Sequence, residues 1–125
     1  MARQIVRTPA GPSSPAYSQA VKAGGLLFVA GQGPFDAATG AVVGQTIQEQ
    51  TRYCLTNVEA ILRAAGSGLD RVVSATFILR DPADFAGMNE EWLRWFPTDP
   101  PARQGARLPV DIPDMRISVA VIAEA

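Results

Sequence analysis

The 125-residue chain is 47% hydrophobic and 18% charged, with a formal net charge of -1. This is globular composition for a single domain spanning residues 1–125, neither fibrous nor disordered. It contains no histidine and one cysteine, Cys54. Those absences remove Ser-His and Cys-His nucleophile systems, His-ligated zinc, an internal disulfide and a Cys-based metal site. The eleven basic residues are scattered, so no basic stripe for nucleic acid is expected. No apolar run is long enough for a membrane span, and the start lacks the apolar core of a signal peptide. The expectation is a cytoplasmic protein.

Arg3–Thr8 alternates loosely and predicts a short first strand. Pro9 to Pro15 is a loop by composition, and Tyr17 stands at its exit. A tyrosine there is either a ligand contact or a packed anchor; local sequence favours the anchor. Gln19–Lys22 and Leu26–Ala30 read as two strands joined at Ala23-Gly24-Gly25. The second ends in Gly31-Gln32-Gly33-Pro34. Gly31 either turns a backbone N–H toward a ligand or simply ends the strand. The pattern is not a phosphate loop.

Thr46–Ala65 is a helix. Thr46 and Glu49 form a capping box, and Ile47, Thr51, Cys54, Val58, Ile61, Leu62 and Ala65 fall on one face. Gly66 occupies the left-handed position after its end. Val72–Leu79 is a strand with Val73, Ala75, Phe77 and Leu79 on one side. Asp81-Pro82 opens a second helix whose apolar stripe is Phe85, Met88, Trp92, Trp95 and Phe96. Asn89 lies beside that stripe, exposed or used.

Pro100 and Pro101 then stiffen the approach to Arg103, the first residue of a strand to Val110. A guanidinium at a rigid strand start, next to Gly105, is either a surface arginine or a bidentate carboxylate receptor. Gly105 would leave room for a ligand to approach the backbone. Arg116–Ala123 is the last strand, with Ile117, Val119, Val121 and Ala123 inward and Ser118, Ala120 and Ile122 outward. The element order predicts an α+β fold: one mixed sheet with two helices on one face. The other face still carries apolar residues, which predicts oligomerisation through it.

From Ala16-Tyr17-Ser18-Gln19-Ala20-Val21 through Leu27-Phe28-Val29-Ala30-Gly31-Gln32, Asn57-Val58-Glu59-Ala60-Ile61-Leu62 and Asp84-Phe85-Ala86-Gly87-Met88-Asn89 to Pro101-Ala102-Arg103, the chain resembles the RidA/YjgF/UK114 family of reactive-intermediate deaminases. The resemblance implies a chorismate-mutase-like fold and a homotrimer with a central sheet-lined barrel. It implies a ligand site in each cleft between subunits, with no metal or organic cofactor. The implied reaction is hydrolysis of 2-aminoacrylate-type enamines and 2-imino acids to 2-oxo acids and ammonia, as in 2-iminobutanoate/2-iminopropanoate deaminases. Arg103 would hold the substrate carboxylate, with Tyr17, Gly31, Asn89 and Gly105 completing the pocket. Three positions depart from the best-known deaminases. Gly105 replaces a cysteine, Ala30 replaces a common serine, and Ser118 stands where a water-positioning glutamate is usual. Ser118 could hold the water but is a poor base. The alternative is a non-catalytic or differently specialised small-carboxylate-binding trimer of the same fold.

Overall fold

A computed structural model describes residues 2–125. Six strands form one sheet: β1 (Gln4–Val6), β2 (Ala20–Ala23), β3 (Leu26–Gln32), β4 (Val72–Leu79), β5 (Ala102–Arg107) and β6 (Ile117–Glu124). Two helices, α1 (Ile47–Ala64) and α2 (Phe85–Trp95), complete the α+β architecture. The strand order is β1-β2-β3-β6-β4-β5. All pairs are antiparallel except β4 with β5, so the sheet is mixed and β5 is an edge.

The α1 cap is the predicted one. Thr46 Oγ1 accepts from the Glu49 N–H at 3.1 Å, and Glu49 Oε1 accepts from the Thr46 N–H at 3.0 Å. Gly66 follows the helix at φ +80°, a left-handed value that costs glycine little. The predicted α1 stripe is buried except for Ala65, which is half-buried. It packs with Leu27, Val29, Ala75, Ile117, Val119, Val121 and Ala123 of the sheet, and with Met88, Trp92 and Phe96 from the α2 side. Asp81 caps a short 3-10 turn (Pro82–Asp84) that leads into α2. The predicted α2 stripe is therefore incomplete, because Phe85 at the first position is 44% exposed.

Two strand irregularities change faces. In β4 the pairing passes from Val72↔Ala123 to Ser74↔Ile122, which inserts one extra residue. Such a bulge turns Val72 inward and leaves Val73 outside, against the strict alternation read from sequence. In β3 the pairing passes from Val29↔Val121 to Gln32↔Val119. Gln32 is thereby buried and Gly31 exposed. The face opposite the helices carries Phe28, Ala30, Thr76, Ile78, Ser118, Ala120 and Ile122, half-buried or exposed. That open apolar face is the one the sequence marked for a second subunit.

Candidate carboxylate-binding site

Arg103 sits on the edge strand opposite Ala75, and Gly105 sits opposite Phe77, in the parallel β4/β5 register. Ala75 is buried under the helices, so Arg103 shares the helix-side face of the sheet. The next residue, Gln104, faces the other way and donates to Thr76 Oγ1 at 3.2 Å.

α2 closes over the guanidinium. Arg103 Nη1 donates to Asn89 Oδ1 at 2.7 Å. The guanidinium carbon stands 4.9 Å from the Phe77 ring centroid, 5.1 Å from Trp92 and 5.6 Å from Phe85. Asn89 and Trp92 are three residues apart, so one turn of helix presents both to the same cation. Among the described residues no carboxylate pairs with Arg103. Loss of water draws its pKa below the ordinary arginine value, yet a guanidinium remains charged at any physiological pH. A cation stripped of part of its hydration and given only a neutral acceptor retains free donors for an anion. A cavity of about 360 Å³ opens beside it, lined by Asn89, Trp92, Leu93, Pro100, Pro101 and Arg103.

A larger cavity of about 710 Å³ lies elsewhere, near Gln45, Arg80, Asp84 and Arg116. Its arginines are already engaged. Arg80 pairs with Asp111 at 3.1 Å and also donates to the Ile112 carbonyl, and Arg116 pairs with Asp84 at 3.2 Å. Among the described residues that line it, that cavity offers no free cation, so the smaller one beside Arg103 is the better anion receptor.

The other predicted site residues stand apart from this cluster. Ser118 pairs with Ile78 across β6 and β4, while Arg103 pairs with Ala75 on the far side of β4. Two strand spacings and a three-residue offset separate their Cα atoms by roughly 14 Å. Ser118 also lies between buried Ile117 and Val119, so it faces away from the helices. Gly31 stands with it: a Cβ at Gly31 would come within 3.0 Å of Ser118 Oγ. The missing side chain leaves that hydroxyl uncovered. Tyr17 is 46% exposed on the loop before β2, which overturns the packed-anchor reading. The chain thus carries two separate groups: Arg103, Asn89 and Gly105 at the sheet edge, Gly31 and Ser118 on the open face.

Gly105 corrects the sequence reading in another way. A Cβ there would collide with the Phe77 ring. The space expected to admit a ligand to the backbone is filled by that ring. Phe77, Phe85 and Trp92 surround Arg103, although residue type and spacing mark them only as strand and helix packing. The buried amides were also missed. Gln19 binds Thr8, Gly11 and Pro12 and folds the loop that carries Tyr17. Asn57 donates to the carbonyls of Gly33 and Phe35, holding the turn that follows Gly31. Polar residues on the buried side of α1 were the available signal for Asn57.

The model of the endoribonuclease L-PSP family matches residues 8–125. The chain belongs to the RidA/YjgF, or endoribonuclease L-PSP, family. It is 48% identical over 107 residues to a RutC family protein of Pyrococcus horikoshii, covering 83% of this chain and 82% of that one. It is 37% identical over 113 residues to Reactive Intermediate Deaminase A, chloroplastic, of Arabidopsis thaliana, covering 87% and 60%. The crystal structure of E. coli TdcF with bound serine superposes with a TM-score of 0.88 at 29% identity, covering 98% of each chain. The mixed α+β sheet with two helices is thus the architecture of the RidA/YjgF family. No helix among the described residues is long and apolar enough to cross a membrane.

Proposed function

We propose that this RidA/YjgF family member hydrolyses small 2-imino acids and their enamine tautomers to 2-oxo acids and ammonia. The observation that carries this reading is the uncompensated Arg103 guanidinium, held between three aromatic rings and one asparagine oxygen. Its free N–H groups grip the substrate carboxylate in two parallel hydrogen bonds. The carboxylate fixes the adjacent iminium carbon in place. That carbon is already electrophilic, so orienting one water against it supplies much of the catalysis. The water oxygen bonds to C2 as the C=N π pair moves to nitrogen, which takes one water proton; the remaining hydroxyl proton then passes to the same nitrogen, the C–N bond breaks and ammonia leaves as the C2 carbonyl forms. No metal or organic cofactor enters this scheme.

Ser118 is the proposed holder of the water, exposed by Gly31. Because Ser118 and Arg103 face opposite sides of their own sheet, a neighbouring subunit must bring the second group to the first. The open apolar sheet face supports a homotrimer, with each site in a cleft between subunits and Tyr17 on its wall. RNA cleavage is disfavoured by a chain with no histidine and scattered basic residues.

The test is release of 2-oxo acid from freshly generated 2-imino acids. Turnover by wild type and its loss in Arg103→Ala is the expected result. Sedimentation should return a trimeric mass; a monomer at micromolar concentration would dismantle the inter-subunit site. A second reading rests on Ser118, which cannot act as a carboxylate base. If wild type binds 2-oxo acids without turnover and Ser118→Glu confers turnover, the protein is a small-carboxylate-binding trimer on the same scaffold.

A further inference from the structure

Phe77 and Gly105 are cross-strand partners in the β4/β5 pair. The ring of one lies where the side chain of the other would be. This contact determines where the ring can go. Were residue 105 any larger, the ring would have to swing off the edge strand. With glycine there it occupies the space beside the edge strand, its centroid 4.9 Å from the Arg103 guanidinium carbon. It also meets the Phe85 ring at 5.6 Å with a 42° tilt, and Phe85 is itself 5.6 Å from the same cation.

Arg103 has a long side chain which, among the described residues, makes a single hydrogen bond, to Asn89. One bond to Asn89 anchors one nitrogen and leaves the plane of the guanidinium free to rotate. Contact with aromatic faces restrains that rotation and strips water from the cation, which strengthens its attraction for an anion. Phe77 is only half-buried, unlike the core residues Ala75 and Leu79 on the same face of its strand. Its ring spans the sheet edge and reaches the cation.

We propose that Phe77 is a positioning residue for Arg103, seated by Gly105, and that the pair sets the affinity of the site for carboxylates. The proposal rests on the carboxylate-binding reading of Arg103. Phe77 acts through the arginine, by orienting and desolvating it. The occupant of position 105 acts through Phe77.

The experiment measures the Kd of 2-oxobutanoate by calorimetry, alongside Tm, for the full chain and four variants: Phe77→Leu, Gly105→Ala, Phe77→Leu/Gly105→Ala and Arg103→Ala. Phe77→Leu should raise Kd about fivefold, the size of one partly desolvated cation–π contact. Gly105→Ala should lower Tm and raise Kd, because the ring is displaced. The double variant separates the two effects. Shortening Phe77 removes the collision, so Tm recovers, while the aromatic platform stays absent and Kd stays high. If Phe77→Leu binds within about twofold of wild type, or the double variant regains affinity along with Tm, the positioning role is overturned while the carboxylate reading stands. If wild type binds no 2-oxobutanoate, the carboxylate reading fails and the positioning role with it.

Discussion

Arg103 Nη1 and Asn89 Oδ1 stand 2.7 Å apart, joining the edge strand β5 to the middle of α2. The amide gives the cation an acceptor without cancelling its charge. Replacing Asn89 with aspartate would add an internal carboxylate and satisfy Arg103 permanently. Asn89→Asp should therefore abolish 2-oxo acid binding. Asn89→Ala should weaken it by about tenfold, the scale of one hydrogen bond to a charged group. Titration calorimetry of both variants checks the ranking; tighter binding by Asn89→Asp than by Asn89→Ala would contradict it.

Gln19 is buried, and its amide makes four hydrogen bonds to the loop from Thr8 to Pro12, at 2.7 to 3.0 Å. Gln19→Ala leaves those backbone groups to compete for water and should cost on the order of 2 kcal/mol. Urea unfolding measures the loss. Limited proteolysis locates it, with new cleavage expected between Thr8 and Tyr17 while α1 remains protected.

Glu49 and Asp36 each add a pH-dependent contribution to stability. The backbone N–H groups of Thr46 and Gln45 hold the Glu49 carboxyl below its ordinary value of 4.5. Those of Thr39 and Ala38 lower Asp36 from 3.8 in the same way. A folded-state pKa below the unfolded one means that the unfolded chain binds protons first as pH falls. The contribution of each carboxylate is present in full above its ordinary value and is lost as pH drops through the folded one. Thermal melts from pH 6 to 3 should show Glu49→Gln less stable than wild type at the top of this range. The gap should narrow at the bottom. A gap that widened toward pH 3 would refute the sign.

Cys54 lies buried on α1 with its Sγ 3.6 Å from the Ile117 carbonyl. Burial pushes the thiol pKa far up, so almost no thiolate forms at neutral pH. Native protein should resist a disulfide-exchange reagent for hours and react in full once unfolded in guanidinium. Rapid labelling of the native chain would place Cys54 outside the core.

Local chemistry suffices for α1 and β4. The capping box, the 3.6-residue stripe and Gly66 are all short-range signals, and they agree, so the helix matches its expectation to within one residue at each end. The bounds of β4 match as well, yet the faces of its first two residues do not, because a bulge depends on the partner strand. The Arg103 motif is similarly half-legible. Two prolines, an arginine and a glycine mark a stiff strand start, and the family resemblance names the carboxylate grip. Neither reveals that Phe77 lies on Gly105, since that contact exists only once β4 and β5 pair in parallel with Ala75 opposite Arg103.

By itself the sequence determined the element order, the amphipathic faces, the family and the absence of histidine chemistry, because these are properties of residue type and spacing. Tertiary structure alone decided the surroundings of Arg103 and the separation of Ser118 from it. Both depend on register, and register is set by pairing between residues far apart in the chain. A side chain at the sheet edge has its neighbours chosen by strands β4 and β5 and by α2 together, and no local stretch encodes that meeting.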